Sequence, residues 1–202
     1  MFPQLQMQRT HAIALAAIVV SLTQCLAAQQ APAGNELLLQ LDPANADAEI
    51  TLAASFHTVK GSFLFKRGAI HYDPATGKSG GEVVFDATSG RTGNDSRDKK
   101  MHKEVIESAR FPEISFRPDR AEGTLASSGE STLQIHGLFS IHGSEHEVTI
   151  PVEMNVQGAT WTARAWFTIP YVKWGMKNPS VLFLRVGDEV KVQFRAAGSL
   201  TR

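Results

Sequence analysis

The segment Val-Thr-Ile-Pro-Val-Glu-Met-Asn-Val, residues 148–156, alternates apolar and polar side chains more clearly than any other part of the 202-residue chain. Its five apolar residues recur at every second position, and successive side chains of a β-strand point to opposite faces of a sheet. The segment therefore predicts a strand with one buried face. Pro151 has no amide proton to donate, so we expect a sheet edge or a bulge at that position.

The same alternation recurs on both sides of this segment. It is clear over residues 161–169 and 190–196 and shorter over 113–117 and 132–136. Earlier strands are predicted at residues 37–41, 50–52, 61–66 and 82–86. Turns are predicted between strands at Asp73-Pro74, Gly80-Gly81, Gly143-Ser144 and Gly187-Asp188. This spacing of strands and turns indicates an all-β protein, either an antiparallel sandwich or a barrel.

One segment has helical rather than strand periodicity. Polar residues at 94–96 can cap a helix, and apolar residues follow with helical spacing over 101–109. Phe111-Pro112 predicts the end of the helix near Arg110, because the residue before a proline disfavours the helical conformation. We expect one helix over 94–110, lying over one end or side of the sheet.

The first 28 residues have the features of a secretory signal peptide. Arg9 precedes a short apolar run at 12–22, and small residues follow that run. The run is about half the roughly twenty residues that a membrane-spanning helix needs. We therefore expect export, a flexible leader at 29–34 and one folded domain over 35–202.

The cysteine content and the charge balance limit the classes of function that the chain can have. Cys25 is the only cysteine and lies in the predicted signal peptide, so we expect an exported domain without disulfides or cysteine-bound metals. Lipidation of Cys25 is the alternative reading of that position. Beyond residue 28 the chain has 19 Lys and Arg against 20 Asp and Glu. This balance argues against a nucleic-acid-binding protein.

Two groups of polar side chains are candidates for chemistry. His136, His142 and His146 are the tightest group of histidines, and a metal-dependent or acid–base enzyme built on them is one hypothesis. Asp98 and His102 lie four residues apart on the predicted helix and could form an acid–base pair. In both cases ordinary solvated side chains are the alternative. We find no serine-nucleophile or phosphate-loop motif and expect neither catalytic activity nor a bound metal.

The apolar strand faces give a different hypothesis. Ala163 and Ala165 lie in the middle of the apolar face of residues 161–169, where small side chains in a barrel would leave a lumen. The alternative is that bulky residues from opposite strands fill this space. A barrel of about eight strands is wide enough for one small ligand. The candidate ligand-binding residues are the apolar wall positions Phe63, Phe65, Val83, Phe85, Ile114, Phe116, Leu133, Ile135, Ile150, Val152, Met154, Trp161, Ala163, Ala165, Phe167, Val192 and Phe194.

Several stretches, taken in order, resemble the YceI-like family. Arg97-Asp98-Lys99-Lys100-Met101 and then residues 111–116 are similar to the family's helix start and the strand that follows it. Residues 55–63 resemble its early strand, in which a Gly precedes a Phe. Residues 133–150 resemble a hairpin of the family, and Trp174-Gly175 matches a late aromatic–Gly pair.

The resemblance covers about residues 35–198 and implies an eight-stranded antiparallel, lipocalin-like barrel with one short helix, located in the periplasm. It implies a polyisoprenoid or isoprenoid quinone as ligand rather than as a catalytic cofactor. We therefore expect a protein that holds a long isoprenoid chain inside the barrel for transport or storage. His102 or Tyr171 at the rim are candidates for contact with the polar head group.

The expected partners are an apolar lipid and, during lipid exchange, a membrane; nucleic acid is not expected, and a homodimer is left open. Two alternatives to the lipid-binding function stay open at this point. One is the histidine-dependent enzyme, and the other is a structural or stress-related envelope protein with a filled barrel.

Overall fold

The computed structural model describes residues 36–202. The predicted signal peptide, the leader at 29–34 and Cys25 lie outside the described residues. The described part contains nine strands: β1 Leu37–Leu41, β2 Asp47–Ala54, β3 Thr58–Tyr72, β4 Ser79–Arg91, β5 Glu113–Glu122, β6 Gly129–Ile141, β7 Ser144–Gln157, β8 Thr160–Ile169 and β9 Val186–Thr201. No helix within residues 36–202 combines the length and hydrophobicity that a bilayer-spanning helix requires.

The nine strands form one closed antiparallel sheet with eight positions around the barrel. Each strand from β2 to β8 pairs with the next strand along the chain. β1 and β2 share one position in the barrel, because each of them pairs with β3 on one side and with β9 on the other. β1 and β2 are thus the two halves of one strand, interrupted by a 3₁₀ turn at Pro43–Asn45 that the Asp42 side chain caps. The prediction of an eight-stranded antiparallel barrel with one short helix is confirmed.

The connections define two different ends of the barrel. At one end, called here the mouth end, lie the connections 55–57, 92–112, 142–143 and 170–185. At the other, the closed end, lie the connections 73–78, 123–128 and 158–159. Buried side chains pack together near the closed end, and the Trp161 indole Nε1–H donates to the Ser199 carbonyl at 3.0 Å. The closed end is thus part of the main apolar core.

The helix lies at the mouth end and is shorter than predicted. Asn94 caps α1, Asp95–Lys100, by accepting a hydrogen bond from the Arg97 amide, and a π-helical turn continues to Val105. The predicted end near Arg110 is wrong, because Glu107 has a φ of 46° and cannot continue a right-handed helix. Glu107 contacts the His142 ring at 3.2 Å, which fixes this turn against the β6–β7 connection.

Two of the four predicted turns are wrong. Gly80-Gly81 lies inside β4, and Gly187-Asp188 lies inside β9. Gly81 serves a different purpose, since a Cβ there would lie 2.1 Å from the Ala69 carbonyl oxygen of the neighbouring strand. The glycine therefore permits close approach of two strands instead of reversing the chain.

Pro151 lies where the pairing of β7 changes. β6 accompanies β7 along its whole length, whereas β8 pairs with β7 only between Val152 and Gln157. Pro151 is the first residue beyond the β8 pairing, so its missing amide proton removes no hydrogen bond to that strand. The expectation of an edge at Pro151 is therefore correct locally, although the barrel as a whole is closed.

Candidate functional site

A cavity of about 600 Å³ runs along the inside of the barrel. Cavities of roughly 300–1,000 Å³ are typical of small-molecule sites. Ala163 and Ala165 of β8 line this cavity, and β9 places Ala196 beside Ala163. The small side chains predicted to leave a lumen thus lie next to open space.

Sixteen of the seventeen predicted wall residues line the cavity. The exception is Phe65, which follows the apolar alternation of β3 and is only half-buried. The β3–β4 register shifts between Phe65 and Arg67, and the Phe65 ring packs edge-on against Phe85 at 5.8 Å between centroids. It also lies against Gly68, whose missing side chain leaves room for it. At this bulge the Phe65 ring therefore packs against Phe85 and Gly68 and does not line the cavity.

Many lining residues were not predicted from the sequence. Some lie on strands, such as Ala48, Ile50 and Leu52 of β2, which do alternate and could have been found from that signal. Others come from the mouth-end connections and have no strand periodicity. These include Met101, Val105, Ile106, Met176, Pro179, Val181 and Leu184.

The lining changes character along the barrel axis. Inside the barrel it is almost wholly aliphatic and aromatic, whereas Arg97, Lys100 and Arg185 contribute to it at the mouth end. All exposed residues of the lining belong to mouth-end connections: His57, Asn94, Ser96, Val181, Leu184 and Arg185. The cavity therefore opens to solvent at the mouth end.

The cations of the mouth are held by neutral groups. The Arg97 guanidinium donates to the Thr92 hydroxyl at 2.7 Å and the Thr92 carbonyl at 2.8 Å, and the Lys100 ammonium donates to the Pro179 carbonyl at 2.8 Å. Among residues 36–202, no acidic side chain forms an ion pair with Arg97, Lys100 or Arg185. The mouth therefore presents positive charge to anything that enters it.

The two predicted head-group contacts are engaged elsewhere. His102 does not line the cavity, because its ring bonds the Ser108 hydroxyl at 2.8 Å and the Gly90 carbonyl at 2.9 Å. Tyr171 lines the cavity, but its hydroxyl donates to the Gly187 carbonyl at 2.8 Å. Burial, with a smaller effect of Asp188, raises the pKa of Tyr171 to about 12, so its hydroxyl stays protonated. Both residues support the mouth structurally.

The predicted acid–base pair is not formed. The buried Asp98 carboxylate accepts from the Thr92 amide at 2.9 Å and the Thr92 hydroxyl at 2.5 Å, while His102 bonds Ser108 and Gly90. Asp98 therefore ties the helix to the end of β4. Asp98 is buried, so the alternative of a solvated side chain is also wrong for this residue.

The three clustered histidines also have separate partners. His136 contacts Asp119 at 2.8 Å, His142 contacts Glu107 at 3.2 Å, and His146 stacks on Trp174 with 4.0 Å between ring centroids. Burial lowers the pKa of His146. In the described part of the chain, no group of three or more His, Cys, Asp or Glu side chains is placed to hold a metal ion. The histidine site considered from the sequence is therefore not assembled.

A closed antiparallel barrel with one open end and an apolar interior is the architecture of lipocalin-like ligand-binding proteins. The model of the YceI-like domain family matches residues 39–197 of the chain. The protein belongs to this family. No curated protein sequence matches the chain significantly.

Three solved structures illustrate the fold. BcnA of Burkholderia cenocepacia has a TM-score of 0.65 at 20% identity, covering 78% of this chain and 99% of its own. A polyisoprenoid-binding domain from Saccharophagus degradans, implicated in plant cell wall breakdown, has a TM-score of 0.62 at 13% identity, with 82% and 98% covered. The Campylobacter jejuni YceI protein has a TM-score of 0.58 at 15% identity, with 73% and 88% covered. At these identities the likeness concerns the fold.

Proposed function

We propose that the protein binds one long apolar isoprenoid lipid in its barrel and carries or stores it. The observation that supports this most is the apolar cavity of about 600 Å³, whose exposed lining residues all lie at the mouth end. Family membership and the polyisoprenoid-binding domain among its structural neighbours support the same ligand class.

The size of the cavity gives enough binding energy for such a tail. Each methylene moved from water into an apolar site contributes about 0.8 kcal/mol. About ten buried methylenes therefore contribute roughly 8 kcal/mol before the costs of ordering the tail, which corresponds to roughly micromolar affinity. A chain of several isoprene units exceeds this number of carbons, so affinity does not require a polar contact.

The gradient of polarity orients the ligand. The tail enters first and contacts the predicted wall residues, including Phe116, Ile150 and Phe167, while the polar head stays near Arg97 and Lys100 at the mouth. These cations favour a head that accepts hydrogen bonds or carries negative charge. This proposed arrangement leaves the head accessible to a receiving molecule.

The competing functions have less support. A structural protein with a filled barrel requires packed side chains where the cavity lies. An enzyme based on the clustered histidines requires a shared site, whereas His136, His142 and His146 have three separate partners. A periplasmic location after removal of the signal peptide and contact with a membrane during lipid exchange are also part of the proposal. The intact mass of the protein and cell fractionation test the location.

Filling the lumen tests ligand binding. In the double variant A163L/A165L, two larger side chains occupy space on the cavity wall, so affinity for a fluorescent polyisoprenoid analogue should fall about tenfold or more. The matched control is T162L, which adds apolar atoms at the exposed position directly before Ala163 on the same strand. Titration by fluorescence measures both, and thermal unfolding verifies that each variant is folded.

The outcome decides between a lipid carrier and a filled barrel. Weak binding by folded A163L/A165L, with T162L equal to the unmodified protein, supports the proposal. If the unmodified protein binds no isoprenoid analogue, or if the folded double variant binds it equally well, the proposed site is wrong.

A further inference from the structure

Exposed hydrophobic side chains are concentrated beside the opening of the cavity. Seven large hydrophobic residues are exposed in the part of the chain that the structure describes, and five belong to two mouth-end connections. These five are Phe56 of the β2–β3 connection and Val181–Leu184 of the β8–β9 connection, called here the apolar tip. Phe56, Leu182 and Phe183 are 78%, 92% and 86% exposed. Clustered exposure of this kind marks an interaction surface rather than ordinary surface apolarity.

Hydrogen bonds hold the two parts of the tip together. The Ser55 amide donates to the Arg185 carbonyl at 3.0 Å, and the Arg185 amide donates to the Ser55 hydroxyl at 2.9 Å. Ser55 directly precedes Phe56, and Arg185 directly follows Leu184. The two connections therefore present their apolar side chains from one joined base.

The charge of the connections differs between the mouth end and the closed end. The connections of the mouth end carry eight Lys and Arg against four Asp and Glu, whereas those of the closed end carry one Lys and one Asp. The connection 170–185, which bears most of the tip, contains Lys173, Lys177 and Arg185 and no acid. Lys177 pairs with Glu104 of the connection 92–112 at 2.7 Å, whereas Lys173 and Arg185 form no ion pair among the described residues. Exposed aliphatic and aromatic residues flanked by cations are the features that bind anionic lipid surfaces.

The tip is continuous with the cavity. Val181 and Leu184 are half-exposed and also line the cavity, whereas Phe56, Leu182 and Phe183 do not line it. An apolar path therefore leads from the exposed residues directly into the barrel. A lipid tail leaving a bilayer at this place would enter the cavity without crossing water.

We propose that the apolar tip docks the mouth end onto a bilayer containing anionic phospholipid, with Leu182, Phe183 and Phe56 inserted and the surrounding cations near the head groups. This inference rests on the proposed lipid-binding function and names the surface through which the ligand is exchanged. A second copy of the chain is a poorer occupant, because a symmetric contact would bring two cationic mouths together.

Vesicle flotation tests the proposal. The protein is expressed from the full sequence and purified in the form that accumulates in the cell. Mass spectrometry establishes that all variants have the same N-terminus. We expect binding to vesicles of equal parts phosphatidylcholine and phosphatidylglycerol, weaker binding to phosphatidylcholine alone, and loss of the difference at high salt. L182S/F183S should reduce binding to the mixed vesicles about tenfold or more.

The matched control is L64S. Leu64 is 67% exposed on β3, away from the tip, so its replacement removes a comparable exposed side chain and should leave flotation unchanged. Equal flotation of L182S/F183S and the unmodified protein, or equal loss in L64S, would overturn the proposed docking surface. Absence of flotation together with self-association that L182S/F183S abolishes would assign the tip to a second copy instead.

Isoprenoid titration in detergent separates this inference from the proposed function. Leu182 and Phe183 do not line the cavity, so L182S/F183S should bind the fluorescent analogue normally. If the unmodified protein binds the analogue normally but does not float with the vesicles, the docking surface alone is rejected. Failed titration of the unmodified protein rejects the carrier function itself.

Discussion

The two ends of the barrel differ in how they use apolar residues. At the closed end, Tyr72 and Trp161 are buried in one packed core beneath short connections. At the mouth end, Leu182 and Phe183 face solvent on a long connection. Among the described residues, Arg97, Lys100 and Arg185 at the same end form no ion pair with an acidic side chain. The same closed sheet supports both arrangements because each strand reaches both ends. Buried side chains at both ends contribute to stability, whereas ligand exchange is expected to depend on the mouth.

Removing the indole at the closed end should have the largest effect. Trp161→Ala deletes a side chain that is 4% exposed and breaks its hydrogen bond to Ser199, so the free energy of unfolding should fall by about 3–5 kcal/mol. Urea unfolding followed by circular dichroism measures the change.

Trp166 on the same strand provides the control. It is 44% exposed on the outer face, so Trp166→Ala should cost less than about 1 kcal/mol. Similar losses for the two tryptophans would contradict the placement of Trp161 in the buried core.

An intermediate effect is expected where the helix meets the barrel. Asp98→Ala removes the carboxylate that accepts two hydrogen bonds from Thr92, leaving those donors without their partner. The free energy of unfolding should fall by about 1–3 kcal/mol, and amide exchange in the helix should accelerate. Asp95→Ala, at an exposed position of the same helix, should change stability by less than about 0.5 kcal/mol. If amide exchange in the helix is unchanged in Asp98→Ala, the hydrogen bonds between Thr92 and Asp98 do not hold the helix in place.

The smallest expected effect is the pH dependence due to His146. Because burial lowers its folded pKa, the unfolded chain takes up the proton first as the pH falls. Its contribution to stability is thus full above about pH 6.5 and is lost as the pH falls through the lower folded pKa.

His146→Phe keeps an aromatic ring against Trp174 and removes the titrating group. Between neutral pH and about pH 5, the variant should lose less stability than the unmodified protein, by under about 1 kcal/mol. Denaturant unfolding at several pH values measures how the free energy of unfolding of each protein depends on pH. A larger loss of stability in the variant than in the unmodified protein would contradict this prediction.

The barrel was predictable from sequence because its strands have one apolar face. Residues 148–156 and 161–169 alternate regularly, and Ala163 and Ala165 even indicated where the lumen would lie. Phe65 satisfies the same alternation and still leaves the cavity wall, because a β-bulge depends on the neighbouring strand. Periodicity within one strand does not contain that information.

The mouth could not be predicted in the same way. Residues 170–185 have no strand or helix period, and their positions follow from contacts such as His146 with Trp174 and Ser55 with Arg185. The end of the helical segment at Val105, earlier than predicted, likewise follows from a contact of Glu107 with His142, 35 residues away in sequence. The partners of His102 and Tyr171 are also tertiary, which explains why both were assigned to a head group from sequence.

The central claim is that the cavity holds a long apolar lipid, and native mass spectrometry of the protein purified from the organism that encodes it tests this most directly. We predict an adduct with the mass of a long isoprenoid lipid, released on unfolding and identified by fragmentation. A bare chain that also forms no complex with added polyisoprenoids would contradict the claim.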